Sequence, residues 1–229
     1  MILFGNHASP FTRKCRVLAA ELGIVDQIAF QDPGHLSPVQ ANRSLVKLNP
    51  LGKIPVLQLK DGCTLYDSRV ICEYLNAVAD GDLFPAETGR RWRALHLQAL
   101  TDGLMDAALI LRYELTFRDE EATWGSWIDR QLERIRASVE CMNREISTFC
   151  EHITIGEISA ACALGYLDFR FTELMWRSDN PELASWFEMF SRRPSMTSTL
   201  PDPTQPNPNQ PKPTQTNPNQ PKPTQKIKG

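Results

Sequence analysis

At 229 residues, 41% hydrophobic and with a formal charge of −2, the chain is long enough to bury a real core and has an ordinary globular composition. The near-neutral balance leaves no electrostatic footprint for nucleic acid or an anionic membrane. No uninterrupted apolar run approaches the ~20 residues of a membrane span, and no basic segment followed by a longer apolar one marks a signal peptide at the N-terminus. Six cysteines (15, 63, 72, 141, 150, 162) show neither CxxC nor metal-ligand spacing, so they read as reduced, mostly buried thiols of a cytoplasmic protein, with no metal.

The first eighty residues alternate strand and helix. A strand over 2–5 is followed by a helix over 10–22, with Val17, Leu18 and Leu22 at core spacing and Gly23 as its stop. A strand over 28–31 and a short helix over 40–47 come next. Strands 56–59 and 64–66 form a hairpin around Asp61–Gly62, and a helix covers 68–78. The order β-α-β-α-β-β-α predicts an α/β domain over 1–79. Residues 80–88 have linker composition, with Asp80, Gly81, Asp82 and Pro85.

Beyond the linker the pattern is helical, and residues 89–200 read as an all-helical domain. One long helix spans 89–117, with Leu97, Leu100, Leu104, Ala108 and Leu111 on one face; the Arg90, Arg91 and Arg93 near its start read as a solvated face. A second helix covers 120–149, its apolar seam running from Ile128 to Phe149 in steps of four and three. Thr154 and Glu157 form a capping box, stapled by Ile153 and Ile158, at the start of a third helix rich in small residues. A last helix covers about 181–191. Residues 201–229 hold a ten-residue tandem repeat (203–212, 213–222) without aromatic or β-branched apolar residues, which predicts a disordered, extended Pro-rich tail. Its P-x-x-P spacings suit a proline-binding module, but the reading preferred here is a non-functional extension born of a short duplication.

Three short motifs carry chemistry. Ser9-Pro10-Phe11-Thr12 stands where thioredoxin-type folds carry Cys-Pro-x-Cys, with hydroxyls in both cysteine positions. A serine there caps the helix, and it can also donate a hydrogen bond to a thiolate beside the positive helix end. Cys15, close by in sequence, reads either as a reactive thiol or as a small apolar filler. Ile54–Pro55, at the entry to the third strand, is a candidate cis bond that turns the Ile54 backbone outward; a plain trans proline at a strand start is the alternative. Asp67–Ser68 opens a helix whose exposed N–H groups suit a carboxylate while Asp67 accepts an ammonium, although Asp-Ser also serves as a simple cap.

In this order, and followed by an all-helical domain, the motifs resemble the soluble glutathione S-transferase superfamily, above all bacterial members whose first helix opens with Ser-Pro-Phe. The likeness spans about 1–200. It includes Asn49-Pro50-Leu51-Gly52-Lys53-Ile54-Pro55-Val56-Leu57, Asp102-Gly103-Leu104-Met105-Asp106 and 154–170. It implies a thioredoxin-like N-terminal domain, an all-helical C-terminal domain and a homodimer. It also implies a detoxifying transfer of the thiolate of glutathione, the co-substrate, to a small electrophile. By position, Ser9 stabilises the thiolate, Phe11 lies against glutathione, and Ile54 pairs with the cysteinyl unit beside a cis Pro55. Asp67 and Ser68 hold the γ-glutamyl end, and Lys53 meets the glycyl carboxylate. Asp67 departs from the Glu common there and is one methylene shorter. The second-substrate pocket falls near Ala8, Phe11, Arg112 and Tyr113, the last two reading equally as interdomain packing. Asp102 or Asp106 stands where some relatives reach the partner subunit's site. A glutathione-dependent peroxidase or disulfide reductase, and a non-catalytic glutathione-binding protein, are the alternative functions.

Overall fold

A computed structural model describes residues 1–149 and 152–201. Cys150 and the repeat tail from 202 onward lie outside the described residues.

Four strands, β1 (Ile2–Phe4), β2 (Ala29–Gln31), β3 (Val56–Gln58) and β4 (Thr64–Leu65), form one sheet in the order β2-β1-β3-β4. β1 and β2 are parallel; β1–β3 and β3–β4 are antiparallel. Alternation along the strands sends side chains to opposite faces. Leu3 and Leu57 join the main core with α1 (Pro10–Glu21) and α3 (Ser68–Val78), while Phe4 and Val56 close over Leu45 of α2 (Arg43–Leu48) in a smaller cluster. α1 begins with Ser9 as cap and Pro10 in its first turn, and ends before Gly23, whose φ of +67° suits the left-handed stop that glycine supplies.

The helical half is built on α4 (Thr88–Phe117), which packs against α5 (Gly125–Arg144) and α6 (Ile155–Arg170). α5 is shorter than the apolar seam predicts. Glu120–Ala122 and Ile146–Thr148 are 3-10 turns, and the helix starts only at Gly125, after an extended Trp124. The seam continues past the helix because Ile146 and Phe149 still pack on the core. α6 is the buried centre: every residue from Ile155 to Leu167 is buried, and the Thr154–Glu157 capping box is formed. By length and mean hydropathy α4 is long and apolar enough to cross a membrane, although its apolar residues form no uninterrupted run. In this fold it is the core helix, and it carries a buried ion pair at Asp102.

Three further helices close the fold among the described residues: α7 (Trp176–Asp179), α8 (Pro181–Ser191) and α9 (Pro194–Thr197). Only α8 is legible in the sequence, since four-residue helices are too short to show a period. α9 clasps α1. Arg193 donates two 2.8 Å bonds to Glu21, Ser195 donates a third, and Arg13 reaches the Met196 carbonyl at 3.1 Å. The hydrogen bonds from Arg193 hold the Glu21 carboxyl below its ordinary pKa of 4.5, against the opposing effect of burial. A lowered carboxylate pKa contributes stability above the unfolded value, and that stability is lost as pH falls through the folded value. Glu21→Gln is therefore expected to lower the Tm at pH 7, with the gap to the parent closing below about pH 4. A constant gap from pH 7 to 3 in thermal melts would contradict this.

Candidate active site

The strand directions bring the three motifs to one edge of the sheet. Phe4, at the end of β1, pairs with Val56, at the start of β3, and β4 runs antiparallel to β3 towards Tyr66. The chain leaving β1 for Ser9, the chain entering β3 through Ile54–Pro55, and the chain leaving β4 for Asp67–Ser68 therefore meet at the same end. Ile54–Pro55 is cis. Ladder pairing with β1 starts at Val56, which leaves Ile54 outside it. Ile54 and Tyr66 pack on the same small cluster, which holds the Asp67 turn beside the Ile54 turn.

Ser9 is the cap of α1: its Oγ accepts from the Thr12 N–H at 3.2 Å, and its own N–H donates to Asn6 Oδ1 at 2.8 Å. The cap uses Oγ as an acceptor, so the hydroxyl proton is still available to be donated. Asp67 caps α3, accepting from the Arg69 N–H at 2.9 Å through Oδ1. Ser68 is buried, and its carbonyl faces the Cys15 thiol across the α1–α3 contact. Cys15 is fully buried, and its thiol is pushed well up, by burial first and then by Cys72. Burial raises Cys162 to about 11. The reactive reading of Cys15 is thus corrected: it is a packed filler.

Beside Asp67 lies a charge cluster that sequence reasoning missed. Lys14, on α1, is fully buried and donates to Asp102 Oδ1 at 2.6 Å. Arg69, on α3, donates to Asp102 Oδ2 at 2.7 Å, and the Ser159 hydroxyl of α6 donates to Oδ1 at 3.3 Å. Asp102 is therefore buried and bonded within its own chain. Phe11 is half-buried, with the Lys14 ammonium 5.9 Å from its ring. Lys53 is exposed and acts with Asp67, Arg69 and Asp102 on Asp106, whose pKa is raised chiefly by desolvation while Lys53 opposes. Lys53, Asp67, Arg69 and Asp106 thus share one electrostatic neighbourhood.

From Ser9 a narrow crevice of about 170 Å³ runs between the two halves, lined by Ala8, Ser9 and Pro10 on one side and Cys162 and Tyr166 on the other. Arg112 and Tyr113 of α4 do not line this crevice; they act on the Tyr166 hydroxyl electrostatically, as does Arg170. Of the residues expected around the second substrate, Ala8 lines the crevice, together with Tyr166, which sits in a helix whose sequence reads as packed core. A larger hollow of about 350 Å³ lies elsewhere, against the Thr154–Glu157 cap, and contains none of these residues.

Comparison with known proteins gives the same architecture. Residues 8–78 match the family description "Glutathione S-transferase, N-terminal domain", and 125–188 match "Glutathione S-transferase, C-terminal domain". The chain is similar to the uncharacterized GST-like protein YibF of Escherichia coli K12, at 31% identity over 205 residues, covering 88% of this chain and 98% of the relative. It is also similar to a crystal structure of a glutathione transferase family member from Pseudomonas fluorescens Pf-5 with bound glutathione (47% identity, TM-score 0.85, 88% and 98% of the two chains). A second crystal structure of a family member from that strain holds S-(propanoic acid)-glutathione (46%, TM-score 0.81, 88% and 100%).

Proposed function

The chain belongs to the glutathione S-transferase family, and from that premise we propose that it transfers the glutathione thiolate to a small electrophile, with Ser9 stabilising the sulfur. The observation that carries this reading is the divided use of Ser9. Its oxygen is engaged by the helix cap, and no described residue takes its proton. It stands at the positive end of a 12-residue helix with no cysteine in the motif. A thiolate placed there is favoured by the hydrogen bond and by the helix end together, and both lower the thiol's pKa. The sulfur–carbon bond then forms with the thiolate's electron pair as the leaving group departs with its own.

In this reading residues 1–79 hold glutathione, 80–88 link, and 89–200 supply the wall for the second substrate; the tail, 201–229, takes no part. Ile54 pairs its backbone with the cysteinyl unit beside Pro55. Asp67 and Ser68 receive the γ-glutamyl end, Lys53 the glycyl carboxylate, and Phe11 packs alongside. One oxygen of Asp67 is already committed to the cap, so a single oxygen serves the ammonium. The reading includes a homodimer, to which exposed apolar side chains such as Leu51, Val70 and Trp92 are available. The bound glutathione and carboxyalkyl conjugate of the Pseudomonas relatives support a site of this kind, and the chemistry fits a cytoplasmic detoxifying enzyme. Titration calorimetry with glutathione, beside turnover of a chloronitrobenzene-type electrophile, tests the proposal. Binding with turnover is expected. Turnover only of hydroperoxides or mixed disulfides would make it a glutathione-dependent reductase, and no binding would overturn the reading.

A further inference from the structure

We infer that Pro201 sets the size of the electrophile that this site accepts: it closes the crevice at Ser9, as the free end of a strap over 194–201 that Arg13 latches to α1. The inference rests on the glutathione reading above and adds to it the shape of second substrate that is admitted.

The crevice has three walls. Ser9, Pro10 and Arg13 come from the start of α1, Cys162 and Tyr166 from α6, and Pro201 from the chain beyond α9. The gaps between them are too narrow for a water molecule. A short group on a sulfur at Ser9 can stay at the mouth, but a longer one has to push a wall aside. Two of the walls resist. α6 is buried from Ile155 to Leu167, and both Cys162 and Tyr166 belong to the main core. α1 packs in the same core through Cys15, Val17 and Leu18. The third wall is different. Pro201 is only half-buried, and Leu200 before it is 59% exposed. Among the described residues neither makes a hydrogen bond. A segment with few buried contacts and no hydrogen bonds opens at low cost.

The latch defines where that movable end begins. Arg13 is buried and donates to the Met196 carbonyl at 3.1 Å and to the Thr199 hydroxyl at 3.5 Å. It passes α6 where that helix has a glycine: a Cβ on Gly165 would stand 2.6 Å from Arg13 Nη1. Thr199 spends its own proton on the Ser195 carbonyl at 2.7 Å, which closes the last turn. Met196 is fully buried in the main core, and Glu21 holds Arg193 and Ser195. The strap is thus pinned as far as Thr199 and held by contact alone beyond it. Only Leu200 and Pro201 have to move to open the crevice, and the repeat from 203 onward has no part in this.

Titration calorimetry on the full chain with S-methylglutathione and S-hexylglutathione tests this, because the two differ only in the length of the group on the sulfur. The parent should bind the hexyl conjugate no more tightly than the methyl one, since displacing the wall offsets the gain from burying five more methylenes. In P201G the ratio of hexyl to methyl affinity should rise about tenfold. T199V removes the hydroxyl that accepts from Arg13 at nearly constant volume, and it should move the same ratio in the same direction by about threefold. A general loss of stability would weaken both conjugates alike and leave the ratio where it was. A ratio in P201G equal to the parent's, or a parent that already prefers the hexyl conjugate tenfold, overturns the inference while glutathione binding stands. If glutathione itself does not bind, both readings fall.

Discussion

Ser9→Ala is expected to lower kcat by about 10²–10³-fold, the effect of deleting one preorganised donor to a developing or resident anion. The loss should depend on pH. Without the hydroxyl, the bound thiol's pKa rises towards the ordinary cysteine value of about 8.5. The deficit is then greatest below neutrality and shrinks as the pH approaches 9, where the thiolate forms unaided. The same substitution removes the α1 cap, at a cost of about 1 kcal/mol, so stability and chemistry have to be separated. Ser9→Asp does this. Aspartate caps as well as serine and suits the positive helix end, but its carboxylate repels a thiolate. A Ser9→Asp protein as stable as the parent and nearly inactive would assign Ser9 its chemical role. One that keeps parental kcat and thiol pKa would leave it as a cap alone.

The largest effect on stability is expected at Asp102. Asp102→Asn keeps the volume and one acceptor but removes the charge that balances Lys14, which has no exposure to solvent. Leaving one member of a buried pair without its counter-charge costs about 3–5 kcal/mol, a large share of the ~5–15 kcal/mol that holds a folded domain together. Replacing both charges is much milder, so Lys14→Met combined with Asp102→Asn should recover a substantial part of the loss, with Arg69 and Ser159 still able to bond the amide oxygen introduced there. Urea melts of the two single variants and the double give the coupling directly. Simple additivity would mean that the 2.6 Å contact carries no special weight. Arg69 follows Asp67 and Ser68 directly and is anchored by the same carboxylate, so Asp102→Asn should also weaken glutathione binding in calorimetry on the folded fraction.

The outline of the fold and the three motifs were legible because each rests on local chemistry. Hydrophobic alternation marks the strands, Gly23 and Asp61–Gly62 punctuate them, and Ser9, Ile54–Pro55 and Asp67–Ser68 are two- or three-residue signals at element ends. Their convergence follows from strand direction, which the β-α-β-α-β-β-α order already implies. Lys14 could not be read in this way. A charged residue in an amphipathic helix is ordinarily solvated, and what buries it is Asp102, 88 residues away. Tyr166 could not be singled out as a crevice residue, because the apolar, small-residue character of 155–167 made the whole helix read as core. The seam over 128–149 located the packed face correctly while overstating the helix, because a 3-10 turn can carry Ile146 and Phe149 onto the same core.

The Lys14–Asp102 contact also has a consequence during synthesis. The ammonium is made 88 residues before its counter-charge, an interval of roughly 4–18 s at a translation rate of ~5–20 residues per second. Until then the Lys14 face of α1 is open to water and its ammonium stays hydrated. The two halves can close over it only once the helix bearing Asp102 has emerged to supply the counter-charge.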